Sequence, residues 1–255
     1  MRKLYKNILA VLACLLVAAF IISCSKKDTT DTTVTTGSGC PTCSNVPIAA
    51  AANNTISKGI YIGVVIGSTG TIKFDIANGG TSATGTLVLD GVTIILISTS
   101  TPTAGSAFSA IFTGKLNGAD VSIKFNVDAD GKNPIITLPI IPGHPSAQFC
   151  ITKELLTSLI EAYVGTYSST KPETGTFNML VNRTDKVWSV IHSASGSTDV
   201  KGESGTIVGL NLLDSNGKTI ATLSRNSSGL DVVNGTFAGG GSGTEITTVT
   251  GTRAL

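Results

Sequence analysis

Cys40-Pro41-Thr42-Cys43, in a chain of 255 residues, has the spacing of thiol–disulfide oxidoreductase motifs. Two thiols at this spacing exchange disulfides when the first sits at a helix N-terminus, where the dipole lowers its pKa. Here the motif follows Thr-Thr-Gly-Ser-Gly and precedes Pro-Ile-Ala-Ala, with no βαβ pattern around it. A structural disulfide is therefore expected, within the motif or to Cys150. The same pair is half a zinc site, and Cys150, His144 and His192 stand at no short ligand spacing from it, so no metal or cofactor is expected. His144 falls in Pro142-Gly143-His144-Pro145, which reads as a turn. In a strand, His192 shares a face with Trp188 and Val190. That makes Trp188 and His192 the candidate wall of a ligand pocket, and His192 a candidate general base. No nucleophile elbow and no aspartate placed to orient His192 accompanies it, so no catalytic residue is expected.

The acids offer less. Glu154 and Glu161 are seven residues apart and share one face if the segment is helical, which suits a solvated face better than a glycosidase pair. Asp128-x-Asp130-Gly131 and Asp214-x-Asn216-Gly217 open like calcium loops but lack the closing bidentate acid, so hairpin turns are expected. Gly239-Gly240-Gly241-Ser242-Gly243 lacks the Lys-Ser/Thr and helix of a phosphate loop.

The N-terminus gives an address. Arg2, Lys3 and Lys6 precede an apolar run of 15 residues, Ile8 to Ile22, and Ser23-Cys24 closes it. A membrane span takes about 20 such residues, so this pattern describes a cleaved secretory signal. Ile21-Ile22-Ser23-Cys24 resembles the lipobox of bacterial lipoproteins, with Ser23 in place and isoleucines where the family has Leu and a small residue. The resemblance implies lipidation of Cys24 and attachment to the membrane through N-terminal acyl chains, in the cell envelope at the outer membrane. Ser25-Lys26-Lys27-Asp28 loosely resembles short charged signals that send some lipoproteins to the cell surface.

Removing 23 of the 255 residues leaves 232 and takes three basic residues, so 18 Lys+Arg against 16 Asp+Glu become 15 against 16. A net charge of −1 lacks the basic face that neutralises phosphates, which excludes a nucleic-acid partner. Charged residues are only 13 % while hydrophobic ones reach 41 %, a balance that folds rather than staying disordered. With Cys14 in the signal and Cys24 lipidated, Cys40, Cys43 and Cys150 remain, enough for one pair and one left over.

The elements that must position these residues are strands. Short runs rich in Val, Ile, Thr and Phe recur from residue 56, broken by Asn78-Gly79, Asp90-Gly91, Asn117-Gly118 and Asp130-Gly131. Such dipeptides favour tight hairpins, and strands at this spacing form antiparallel barrels or sandwiches. One helix interrupts the pattern: Thr152 is its expected N-cap, and Leu155, Leu156, Leu159, Ile160 and Tyr163 share a face. Thr69-Gly70-Thr71-Ile72-Lys73-Phe74 matches Thr174-Gly175-Thr176-Phe177-Asn178-Met179, and Asp128–Lys132 matches Asp214–Lys218, which suggests a tandem repeat.

The expected organisation is a signal peptide over 1–23, a flexible Thr/Ser-rich tether over 24–55, a β domain over 56–150, a connecting helix over 151–163 and a second β domain over 164–255. The fold class is mainly β, two antiparallel barrel- or sandwich-like modules in tandem. In strand count each half resembles the up-and-down barrels of the lipocalin and avidin kind. The function read from this is a non-catalytic envelope lipoprotein with β-rich binding or structural domains, for a protein, glycan or small apolar ligand. The alternatives are a lipocalin-like carrier holding an apolar ligand inside one barrel, and an envelope hydrolase whose site is assembled from distant strands.

Overall fold

The computed structural model describes residue 40 and residues 43–170, 173–226, 231–239 and 245–255, without side chains at 237–239 and 245–247. The signal segment, Cys24 and the tether up to residue 39 lie outside the described residues. Sixteen strands form among those described, eight in each of two modules. The first module holds β1 (Gly59–Ile66), β2 (Gly70–Ile76), β3 (Ala83–Leu89), β4 (Val92–Ser98), β5 (Phe108–Leu116), β6 (Ala119–Val127), β7 (Ile135–Ile140) and β8 (Gln148–Glu154). The second holds β9 (Ile160–Ser169), β10 (Thr174–Asn182), β11 (Val187–Ala194), β12 (Lys201–Val208), β13 (Asn211–Leu213), β14 (Thr219–Arg225), β15 (Asp231–Gly239) and β16 (Glu245–Arg253). Mainly antiparallel β in two tandem barrel-like modules is thus the fold.

Turn chemistry sets the meander. Asp90 (φ 47°) with Gly91 (φ 81°), and Asn117 (φ 50°) with Gly118 (φ 87°), supply the paired positive φ values of two-residue hairpins. The second module closes fully, β16 pairing with β9. The first joins β8 back to β1 but leaves β7 and β8 unbonded. The reason lies in β7: Leu138 takes φ 49°, Pro139 has no N–H to give, and the register against β6 slips between Ser122 and Lys124.

Each barrel interior is filled by side chains. Tyr61, Phe74, Phe112 and Phe125 stack at the centre of the first, Phe74 and Phe112 with centroids 4.6 Å apart. Tyr163, Phe177, Met179 and Trp188 centre the second. Room for these rings comes from facing glycines, Gly85 opposite Phe74 and Gly205 opposite Trp188.

A third cluster joins the modules. All eight residues of β1 are buried: Tyr61 and Val65 enter the first core, while Ile60, Ile62, Val64 and Ile66 pack outward on Ile160, Ala162, Leu180 and Ile191. Polar clamps reinforce this waist. Asn178, fully buried on the outer face of β10, donates through Nδ2 to Val65 O and to Ser68 O, the latter at 3.0 Å.

Three expectations are corrected. Residues 151–163 form no helix; they are the end of β8, a turn closed by Ser158 N donating to Leu155 O (3.0 Å), and the start of β9. The 3.6-residue apolar spacing comes from a tight turn set between two strands, and the ladder of β8 against β1 outweighs local helix preference. The module boundaries move accordingly, to Gly59–Glu154 and Ile160–Arg253 rather than 56–150 and 164–255. The tether ends earlier than residue 55, because residues 44–57 form a strap across the waist. There Arg253 donates to Ser44 O and Asn45 Oδ1, Ile48 N to Glu154 Oε1 (2.8 Å), Ala50 N to Asn78 Oδ1 (2.8 Å), and Lys153 Nζ to Asn53 O (2.6 Å).

The repeat is half supported. Thr69–Phe74 and Thr174–Met179 both fall in the second strand of their module. Asp128–Lys132 turns between the sixth and seventh strands, whereas Asp214–Lys218 turns between the fifth and sixth. Those two loops share a turn form, Gly N donating back to Asp O in each, rather than a place in the fold.

Candidate functional site

The waist is not packed along its whole length. Beside the third cluster a cleft of about 330 Å³ opens between the modules. Alternation along β8 sends Cys150 and Thr152 outward into it, and the same rule on β10 and β11 sends Leu180, Asn182 and Ser189 in from the other side. The turn at Leu155–Ser158 closes one end. Asp130, Gly131, Lys132 and Pro134, just before β7, border the other, so the cleft opens beside the unbonded seam. Its walls are mainly apolar, with a few polar groups converging, the usual make-up of a small-molecule site of ~300–1,000 Å³.

Two polar features of the cleft stand out. Ser189 is buried, and its hydroxyl meets only Cys150 Sγ at 3.9 Å among the described residues, a long and weak contact. Lys153, half-buried on β8, sends Nζ to Asn53 O and Ile56 O and lies 5.6 Å from the centre of the Tyr61 ring. Burial pulls its pKa down to about 8, with Asp130 pulling weakly the other way. No carboxylate lies within 4.0 Å of it among the described residues. At the far end Asn182 Nδ2 donates to Ser158 Oγ (2.6 Å) and Asp185 Oδ2 (2.7 Å), a cluster that satisfies itself.

Trp188 and His192 do share the inner face of the second barrel, as their spacing predicts. Trp188 borders the waist cleft and donates Nε1–H to Leu213 O at 3.0 Å. His192 stands a full four residues along the strand, roughly 13 Å away. It packs edge-on against Tyr167 at 5.6 Å, its pKa lowered to about 4 by burial and then by Lys201, with Glu173 opposing. Of the two, Trp188 borders the waist cleft and His192 does not. Among the described residues His192 forms no hydrogen bond to a serine or a carboxylate.

Cys40 and Cys43 are joined in a disulfide, Cα atoms 5.4 Å apart, so of the pairings open to the sequence the one within the motif forms. His144 sits in its turn, N donating to Ile141 O at 3.0 Å, with Nε2 3.7 Å from Asp90 Oδ2. The expectation of solvated glutamates is corrected: Glu154 is 1 % and Glu161 4 % exposed. Glu154 takes the N–H of Ile48, which fastens the strap; burial nevertheless raises its pKa. Glu161 accepts Arg183 Nε at 2.9 Å and the Tyr163 hydroxyl at 3.0 Å, and lies 3.6 Å from Arg253, which also faces Asp231 at 3.5 Å. These inward charges plug the end of the second barrel. Among the described residues no three His, Cys, Asp or Glu gather for a metal.

Sequence reasoning missed Lys153, Leu180 and Ser189 as cleft residues. A signal existed for the waist: Ile60-Tyr61-Ile62-Gly63-Val64-Val65-Ile66 is apolar without alternation, the mark of a strand buried on both faces. No protein-family model, no curated protein and no solved structure matches the chain.

Proposed function

We propose that this chain is a lipid-anchored, non-catalytic lipoprotein of the bacterial cell envelope, whose two β-barrels hold a small ligand in the cleft at their waist. The observation that carries the reading is the contrast between two barrel interiors filled by their own side chains and an apolar-walled opening of about 330 Å³ lined by both modules. The lumen of the second barrel, walled by Trp188 and His192, is occupied by Tyr163, Phe177 and Met179 and so suits a carrier less well. Support for the anchor is the basic start, the short apolar run and Cys24.

Native mass spectrometry of the protein taken from its source envelope tests the cleft. A discrete adduct is expected on the wild type and absent from Leu180→Trp, whose indole fills the opening. An adduct kept by Leu180→Trp overturns the waist as the site. Lipid labelling that persists in Cys24→Ala overturns the anchor.

A further inference from the structure

Among the described residues, the cation in the cleft has no carboxylate within ion-pair distance. Lys153 Nζ carries three donors, and Asn53 O and Ile56 O use two. Its nearest acid in electrostatic terms, Asp130, is committed elsewhere, with Oδ2 3.0 Å from Lys132 Nζ and Oδ1 accepting from Lys132 N. A half-buried ammonium beside apolar walls is costly unless an anion meets it. Past it the cleft runs between Ile151, Ile160, Leu180 and Trp188, which offer only apolar contact to a ligand's body.

We propose that the waist cleft takes an amphiphile with one carboxylate and an unbranched apolar tail, the carboxylate pairing with Lys153 Nζ and the tail lying along Leu180 and Ile160. This rests on the cleft being the ligand site. The two carbonyls that hold Nζ fix the direction of its remaining N–H, so the carboxylate meets a donor already positioned and gives up little orientational freedom. The Ser189 hydroxyl, which among the described residues meets the Cys150 sulfur at 3.9 Å, lines the same cleft.

The test uses residues 24–255, which contain every described element, with Cys24→Ser so that no acyl chain competes. Dodecanoate and dodecanol are titrated while Trp188, the one tryptophan of the chain, reports by fluorescence. Dodecanoate is expected to bind about tenfold or more tighter than dodecanol, the value of one charge-assisted hydrogen bond in a partly dry site. Lys153→Met should remove that preference and bring the two probes to equal affinity. Lys153→Arg, which keeps the charge and can still reach the strap carbonyls, should retain it and guards against a simple loss of fold. Equal binding of both probes, blocked by Leu180→Trp, overturns the carboxylate and leaves the cleft. Carboxylate-selective binding that survives Leu180→Trp overturns the cleft itself. Binding of neither probe overturns the proposed ligand class.

Discussion

Replacing Asn178 by alanine tests whether the two barrels stabilise each other. Its Nδ2 supplies both hydrogen bonds that reach Val65 O and Ser68 O across the waist, and the residue is fully buried. The variant removes two donors and strands two buried carbonyls, each orphan costing ~1–3 kcal/mol. One term offsets this: Asn178 Oδ1 is itself buried with no partner among the described residues, and the truncation deletes it. A small cavity beside Leu180 and Ile191 adds to the loss. The net expectation is a destabilisation of about 2–4 kcal/mol. Urea unfolding followed by Trp188 emission, which reports the second barrel, and by far-ultraviolet circular dichroism, which reports both, measures it. The wild type should give coincident transitions, because β1 is shared between the first core and the waist. Asn178→Ala should lower the midpoint in both probes. A change below about 0.5 kcal/mol, the usual scatter of surface substitutions, would refute the reasoning.

Two further expectations concern the second barrel. His192 is held at about 4 against its usual 6.5, so on acidification the unfolded chain takes up the proton first. The stability held above pH 6.5 then drains as pH falls from there toward 4, by about 2–3 kcal/mol at pH 4.5. Unfolding at pH 7.5 and 4.5 should show that loss in the wild type and not in His192→Gln; equal losses would return His192 to an ordinary surface titration. Gly205→Val places a Cβ 2.9 Å from Trp188 Nε1 and closer still to the Leu213 carbonyl that accepts the indole N–H. It should cost about 1–3 kcal/mol and red-shift the emission, whereas Gly79→Ala, with open space around it, should stay near neutral. Equal midpoints for the two glycine variants would contradict the packing described.

What the sequence made readable is what local chemistry decides. Val92–Ser98 and Val187–Ala194 were legible to the residue, since β-branched runs lie between turns such as Asp90-Gly91 that can do little else. The inner-face pairing of Trp188 and His192 followed from period two alone. The β8 strand was not legible, because Ile151 owes its conformation to Gly63, nearly ninety residues earlier, and not to its neighbours. The cleft was hidden for the same reason: Lys153 and Leu180 come together only when β1 is sandwiched between modules. Glu154 and Glu161 misled because buried acids in strands and exposed acids on a helix leave the same spacing in one dimension.

The strap also decides how the molecule bears mechanical load. A pull on the chain ahead of Cys43 does not act first on β1, the strand that the strap leads into. It reaches the fold at Ser44 and Asn45, which Arg253 holds, then at Ile48 on Glu154, and then at Asn53 and Ile56 on Lys153. Arg253 belongs to the last strand of the second module and Glu154 to the last strand of the first, so tension divides between both before either meander can unzip. The closed Cys40–Cys43 ring sits just ahead as a knot that transmits force without lengthening. The waist acts as a strain-relief fitting that shares the load between the last strands of both modules before β1 is drawn on.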